Sequence, residues 1–305
     1  MSVFSIKNIN LKSSLCSIFK IKSFSADILE EWLDILVGFS EKLNYRFTEG
    51  ACTPKNKKYV KYNSFVNTVH KQLENPLLIN SLELRYWVDK NDVLLPCGGE
   101  IVEAYISKKE YDDSCTFGAY NQILDDKLKW ETAIKICKLL SPSYGFFYEF
   151  PFVHNQTFYH SGIVGGNYDD IVGKAYNNKH VDIIQRISSW RSSFCDLCSD
   201  GHLREIYPIN FINENHLKYE VFQKISLKDW IEESNHRGKL EQVTDELWAW
   251  TIEEADLENV TIELAKSDIC LCVNKENPHR YDYGVRPEDQ IKIENNWHKS
   301  SEVES

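Results

Sequence analysis

A pair of alternating segments joined by a glycine turn constrains the fold of this chain more than any other sequence feature. From Ser81 to Asp89, apolar and polar residues alternate with a period of two, which is typical of a strand with one buried face. Residues 96–99 read Pro-Cys-Gly-Gly, a turn signal, and Glu100–Ile106 resumes a strand-like pattern. Strands joined in this way form a hairpin, so we predict an antiparallel sheet.

Helical patterns alternate with the predicted strands. Apolar residues recur at helical spacing in Ser25–Leu43 and in Asp125–Leu140, and a third helical pattern lies near Tyr62–Leu73. The apolar segment Tyr144–Val153 follows and could turn back onto Thr157–Val164. This rhythm predicts an α+β fold of layered antiparallel sheets with helices on one face, and it is compatible with two related halves.

The 305 residues suggest about two structural units. We predict an N-terminal α+β unit at residues 1–165 and a shorter C-terminal α+β unit at residues 166–276. Residues 277–305 are rich in Asn, Ser and Glu, which is typical of a poorly ordered tail.

The C-terminal unit contains its own hairpin pattern. Lys239–Val243 and Leu247–Ile252 are strand-like and flank a short polar turn. A helix is expected at Ala255–Ala265, and a closing strand at Ile269–Val273.

The net charge argues against nucleic acid and membranes as partners. The chain has 46 Asp and Glu against 35 Lys and Arg, a formal net charge of −11. Binding to phosphates or anionic lipids needs clustered Lys and Arg, so we expect neither partner. We also recognise no secretory leader and no apolar run of the roughly 20 residues that span a bilayer. With nine cysteines at irregular spacing, these features predict a cytoplasmic protein with reduced thiols.

Several cysteines have a spacing that metal sites also use. Cys195, Cys198 and His202 form half of a zinc knuckle, and Cys270 and Cys272 are distant candidates for the other half. Cysteines two residues apart on a strand share one face, which suits either metal ligation or core packing. Because buried cysteine is commonly apolar filling, we predict no metal and no cofactor.

A second polar group supports an alternative in which the chain is an enzyme. His154 and His160 bracket the expected turn after Tyr144–Val153, and Asp169 and Asp170 lie nearby. Histidine with carboxylate can act as a general base or bind a metal, so a metal-dependent hydrolase is one alternative. Neither a zinc-protease motif nor a nucleophile elbow is present, so we predict no catalytic residues and no enzymatic activity.

The segment Glu241–Glu263 combines charge with aromatic residues. It contains eight Asp and Glu and no Lys or Arg, interleaved with two tryptophans. Such a field attracts a basic protein partner, and desolvated tryptophan supplies affinity. The alternative interpretation is a solvated helix face with core tryptophans. The predicted partner-binding residues are Trp248, Trp250, Glu253, Glu254, Asp256 and Glu258.

A short motif resembles one found in bacterial immunity proteins of polymorphic toxin systems. In residues 202–211, the pattern Arg, any residue, Ile, Tyr, two residues, Asn is formed by Arg204, Ile206, Tyr207 and Asn210. The motif is similar to that of proteins related to the type VI immunity family. The resemblance extends over about residues 168–273. Because such a set can bond backbone and carboxylates, we expect Arg204, Tyr207 and Asn210 to organise the fold.

The resemblance implies a cytoplasmic antidote that binds and neutralises a cognate toxin of a bacterial type VI secretion system without catalysis. The leading prediction is therefore a non-enzymatic immunity protein whose partner is a toxin or another basic protein. A structural or oligomeric scaffold protein, forming a homo-oligomer, is the remaining alternative.

Overall fold

The computed structural model describes residues 12–22, 24–42, 46–54, 58–76, 79–87, 100–109, 112–120, 126–151, 160 and 195–273. The strands are β1 (Lys12–Phe19), β2 (Glu49–Thr53), β3 (Val60–Lys61), β4 (Ser81–Trp87), β5 (Glu100–Lys109), β6 (Asp112–Tyr120), β7 (Tyr144–Pro151), β8 (Ile209–Asn213), β9 (Glu220–Phe222), β10 (Ile225–Ser226), β11 (Lys239–Thr244) and β12 (Leu247–Thr251). The helices are α1 (Ala26–Lys42), α2 (Tyr62–Gln72), α3 (Asp126–Leu140), α4 (Cys195–Ser199), α5 (Glu214–Lys218), α6 (Leu227–Glu232) and α7 (Glu254–Leu264), with a 3₁₀ turn at Asn235–Arg237.

Ten strands form one antiparallel sheet in the order β11-β12-β8-β7-β1-β6-β5-β4-β2-β3, and β9 and β10 form a small second sheet. The predicted α+β class is confirmed. The predicted hairpin is present as β4 and β5, with Leu82 opposite Ile106. The C-terminal hairpin pattern is present as β11 and β12, with Glu241 opposite Ala249.

The two faces of the sheet carry separate hydrophobic cores. One core contains Cys16 and Ile18 of β1 together with buried residues of α1, α2 and α3. The other contains Phe19 of β1 together with buried residues of α5, α6 and α7. Successive side chains of a strand point to opposite faces, so one strand can serve both cores. The helices of each half therefore cover one face, and the two halves use opposite faces.

The burial pattern of helix α1 explains why the sequence predicts the position of this helix. Its buried residues include Leu29, Trp32, Leu36 and Phe39, which recur every three or four positions and so form one apolar stripe. Asp27 in the first turn and Lys42 in the last turn stabilise the helix dipole.

Strands from both predicted units join the same sheet. Strand β7 pairs with β1 on one side and with β8 on the other. The pairing with β8 extends over Tyr144–Phe147. The expected return onto β7 falls on residues 157–164, which lie outside the described residues except for His160, and His160 is helical. The predicted unit boundary at residues 165 and 166, and the predicted tail at 277–305, lie outside the described residues.

The expected closing strand at Ile269–Val273 is also wrong. These residues run beside the segment after α4 through one isolated parallel bridge between Leu203 and Cys270. Backbone bonds of 2.8 Å from Leu203 to Ile269 and from Leu271 to Leu203 complete the contact. Residues 269–273 pack in the second core and do not add a strand to the sheet.

In the parts of the chain that the structure describes, no helix combines the length and the apolar character needed to cross a membrane.

Candidate partner-binding surface

The β11–β12 hairpin ends the large sheet, and β11 is its outermost strand. Lys239, Glu241 and Gln242 are exposed, while Leu240 and Val243 are half-buried. The register shifts between Gln242 and Thr244, which marks a β-bulge near the turn. We name the exposed side of β11 the edge surface.

A glycine and a tryptophan fix the hairpin at its base. Gly238 has a φ of 92°, and a Cβ placed there would lie 2.2 Å from the carbonyl oxygen of Thr251. Only glycine fits this conformation and this approach. The indole nitrogen of Trp250 donates to the carbonyl of Arg237 at 2.7 Å, which ties β12 to the preceding turn.

Arg237 connects three elements beneath the hairpin. Its guanidinium donates to the carbonyl of Trp230 at 2.9 Å and pairs with Glu233 at 2.8 Å and with Glu263 at 3.3 Å. It also lies 4.4 Å above the Trp230 ring. Arg237 therefore links α6 to α7. The sequence offered one signal for this role, because Glu233 precedes Arg237 by four residues, a spacing that favours ion pairs.

The two tryptophans of β12 share one face of the sheet but differ in depth. Trp250 is 0% exposed and its indole N–H is bonded internally. The prediction that Trp250 contacts a partner is therefore wrong, because the side chain belongs to the core. Trp248 is half-buried, between Gln242 of β11 and Ile212 of β8.

Carboxylates are distributed along the full length of the edge surface. Glu241 lies at its middle. Asp245 and Glu246 form the exposed turn at one end. Glu253 and Glu254 are exposed just beyond Thr251, which pairs with Lys239 at the other end. The acidic sequence segment is thus split by β12, whose five residues span roughly 17 Å.

Some of the predicted acidic residues also stabilise the fold. Glu254 and Asp256 lie in the first turn of α7, where negative charge interacts favourably with the helix dipole. Asp256 also lies 3.1 Å from Nδ1 of His236. Glu258 is exposed one turn after Glu254.

A shallow cavity of about 280 Å³ lies beside the β11–β12 turn. It is bordered by Ser143, Asn213, Glu214 and Asp245, and by Lys22, which pairs with Glu246. This ion pair connects the end of β1 to the hairpin turn.

The negative charge of the chain is concentrated in its C-terminal half. Residues 195–273 contain 17 Asp and Glu against seven Lys and Arg, which leaves a formal net charge of −10 out of the total −11. Most of these carboxylates are exposed or half-buried. The field around the edge surface is therefore strongly negative.

The residues of the recognised motif lie in the core. Arg204, Tyr207 and Asn210 are each 0% exposed. Asn210 accepts from the backbone N–H of Tyr207 at 3.1 Å and donates to its carbonyl at 2.7 Å, which closes a tight turn before β8. The Tyr207 hydroxyl donates to Glu205 at 3.1 Å. Arg204 donates its backbone N–H to the hydroxyl of Tyr144, whose pKa is raised by burial.

His216 caps helix α5 from within the core, a role that the sequence analysis missed. Its Nδ1 lies 3.2 Å from the backbone N–H of Asn213, and its Nε2 lies 3.0 Å from the carbonyl of His202. Burial lowers the pKa of His216 to about 3. Nδ1 also lies 2.7 Å from Oδ1 of Asn213. Burial outweighs the hydrogen bond with the His202 carbonyl, which acts on the pKa in the opposite direction.

The structure describes the side chains of four of the five candidate zinc ligands, and these four do not form a site. Cys198, Cys270 and Cys272 are buried in the second core. The Nδ1 atom of His202 lies 3.3 Å from the carbonyl of Leu197. The side chain of Cys195 lies outside the described residues. Within the part of the chain that is described, no three His, Cys, Asp or Glu side chains are placed to hold a metal ion.

Of the candidate catalytic residues, only His160 lies within the described residues; His154, Asp169 and Asp170 lie outside them. His160 is buried on the sheet, where Nδ1 bonds the hydroxyl of Ser17 and Nε2 lies 3.0 Å from the hydroxyl of Ser114. Its ring stacks on Phe19 at 4.8 Å. In this position the imidazole links β1 to β6 inside the protein.

These observations define the class of protein: an α+β protein with one large antiparallel sheet and an acidic hairpin at its edge. Its fold is similar to that of the Pseudomonas aeruginosa T6SS protein PA0821, with a TM-score of 0.54 and 8% sequence identity. The similarity covers 93% of this chain and 85% of the Pseudomonas protein, and at this identity it concerns the fold alone. No protein-family model matches the chain, and no curated protein matches it in sequence.

Proposed function

We propose that this chain is a non-enzymatic cytoplasmic immunity protein that binds and neutralises a cognate, basic toxin of a bacterial type VI secretion system. The observation that carries the proposal is the edge surface, where exposed carboxylates lie at both ends of β11 and at Glu241 in its middle. A field of one sign along a rigid strand increases the rate of encounter with a partner of opposite charge.

Trp248 lies on β12, one strand in from the edge surface. It is half-buried, so its ring is held by the sheet and loses little conformational entropy when a partner covers the remainder.

Two further findings favour the immunity assignment. The motif containing Arg204, Tyr207 and Asn210 resembles that of type VI immunity proteins, and in this chain the polar groups of Tyr207 and Asn210 bond one another in the core. We therefore assign a structural role to these side chains, and we assign the partner contact to the surface around β11. The fold similarity to a T6SS protein agrees with the same cellular context.

The test is a binding and protection assay with the product of the gene adjacent to the one encoding this chain. We expect the full chain to co-purify with that product and to restore growth of cells that express it. Charge reversal by Glu253→Lys with Glu254→Lys should slow association and weaken its salt dependence. The matched control is Glu30→Lys with Glu31→Lys, two exposed carboxylates on α1. Absence of both complex and protection would refute the proposal.

A further inference from the structure

The two edges of the large sheet differ in what they offer to another chain. One edge is β3, which consists of Val60 and Lys61 and leads directly into α2. The other edge is β11, which has six residues and an exposed middle. An open strand edge presents unpaired backbone N–H and C=O groups to a further strand. Within the described residues, β11 is the longer of the two edge strands.

The hydrogen-bond pattern of β12 identifies which of its residues face β11. The backbone N–H of Ile252 donates to the carbonyl of Pro208 at 2.8 Å, so the backbone groups of residue 252 point toward β8. Successive residues of a strand direct these groups to alternate sides. Thr251 and Ala249 therefore direct theirs toward β11.

This direction fixes the orientation of the β11 backbone. Thr251 pairs with Lys239 and Ala249 pairs with Glu241, so the backbone groups of Lys239 and Glu241 point inward. Leu240 and Gln242 then point theirs away from β12. In the described part of the chain, no strand lies beyond β11 to receive these groups.

The charge around this edge selects the kind of strand that can pair with it. Glu241 is exposed between the two outward-facing residues, and both ends of β11 carry exposed carboxylates. We infer that the basic toxin of the proposed function inserts an extended, Lys- or Arg-containing segment beside β11, adding a strand to the sheet. This inference rests on the proposed function and specifies how the partner is held.

A second copy of this chain fits the edge less well. Antiparallel pairing that uses both Leu240 and Gln242 of each copy places Glu241 directly opposite Glu241 of the other copy. Like charges directly opposite one another destabilise a strand pair. A basic residue at that position of the partner strand removes the repulsion and gains an ion pair.

Gln242 provides a test that separates the backbone from the side chain. Gln242→Pro removes the outward N–H without removing a bond to β12, and proline is tolerated at such edge positions. Gln242→Ala removes the side chain and retains the N–H. The full-length variants are immobilised, and binding of the adjacent-gene product, made by cell-free synthesis, is measured. We expect Gln242→Pro to weaken binding about tenfold, and Gln242→Ala to change it less than about twofold.

Amide hydrogen exchange on the wild-type complex gives a second readout that requires no variant. The amides of Leu240 and Gln242 should become protected when the partner binds, even if the proline variant unfolds. Equal binding by both Gln242 variants, with no new protection, overturns strand addition while leaving the proposed function intact. Absence of wild-type binding overturns the proposed function as well. A concentration-dependent dimer that is lost in Gln242→Pro would assign the edge to a second copy and overturn the inference.

Discussion

Acidification should destabilise this protein through His216. The folded state keeps this imidazole neutral, with its pKa lowered to about 3, whereas the unfolded chain has the ordinary value of about 6.5. Below pH 6.5 the unfolded state therefore binds a proton that the folded state excludes. The contribution is fully favourable above pH 6.5 and is lost progressively as the pH falls toward 3.

The loss of unfolding free energy depends on how far the pH lies below the pKa that His216 has in the unfolded chain. At pH 5.0 the unfolded chain is about 1.5 pH units below its titration midpoint, and each unit corresponds to about 1.4 kcal/mol. His216 should therefore cost about 2 kcal/mol of unfolding free energy between pH 7.5 and pH 5.0. That is a large part of the stability of an ordinary domain.

Urea unfolding at the two pH values measures this loss. In His216→Gln, which cannot be protonated, the difference between the two pH values should be smaller than in the wild type by about 2 kcal/mol. His236→Gln is the matched control, because the His236 side chain is 84% exposed and lies on the surface beside Asp256. If His216→Gln keeps the full wild-type pH dependence, the imidazole is not excluded from protonation and the reasoning fails.

Substitutions at three positions test how the candidate surface is supported. Gly238→Ala should destabilise the protein by about 2 kcal/mol in thermal unfolding, because it combines a positive φ with a Cβ placed 2.2 Å from the Thr251 carbonyl oxygen; an unchanged melting temperature would contradict the described turn. Asn210→Ala should cost about 2 kcal/mol in urea unfolding, since the N–H and carbonyl of Tyr207 lose their buried partner, and a cost below that of an ordinary surface substitution would rule out this role. Arg237→Ala should cost about 2 kcal/mol and Arg237→Lys less, because lysine retains the charge that faces Glu233 and Glu263 but loses the planar contact with Trp230; equal losses in the two variants would show that the charge contributes nothing.

Local sequence patterns predict the local elements of this fold well. The alternation of Ser81–Asp89 and the helical stripe of α1 each reflect contacts with one sheet face, so the pattern alone reveals which side is buried. The pairing of β7 with β8 follows from contacts between segments about 60 residues apart, for which a periodic pattern contains no information.

The candidate surface shows a similar division. The sequence places Trp248 and Trp250 on one face, and both lie there. An alternating pattern shows which residues share a face of the sheet, but it does not show how deeply each residue is buried. The depth depends on α6 and α7, whose buried residues lie in the same core as Trp250. The capping role of His216 was missed because a histidine three residues after Asn213 lacks the carboxylate that usually marks a capping box.

The shape of the edge surface depends on α1 and α3, which are distant in sequence and pack on the face of the sheet opposite Trp248. Leu247 and Ala249 of β12 belong to the core that α1 and α3 complete, and Trp130 of α3 stacks on Phe211 of β8 at 6.1 Å. A fragment of residues 195–273 would expose this apolar face to water and lose its shape. Transplanting residues 195–273 onto another scaffold would therefore require a helix that covers this face of β12 as α3 does here.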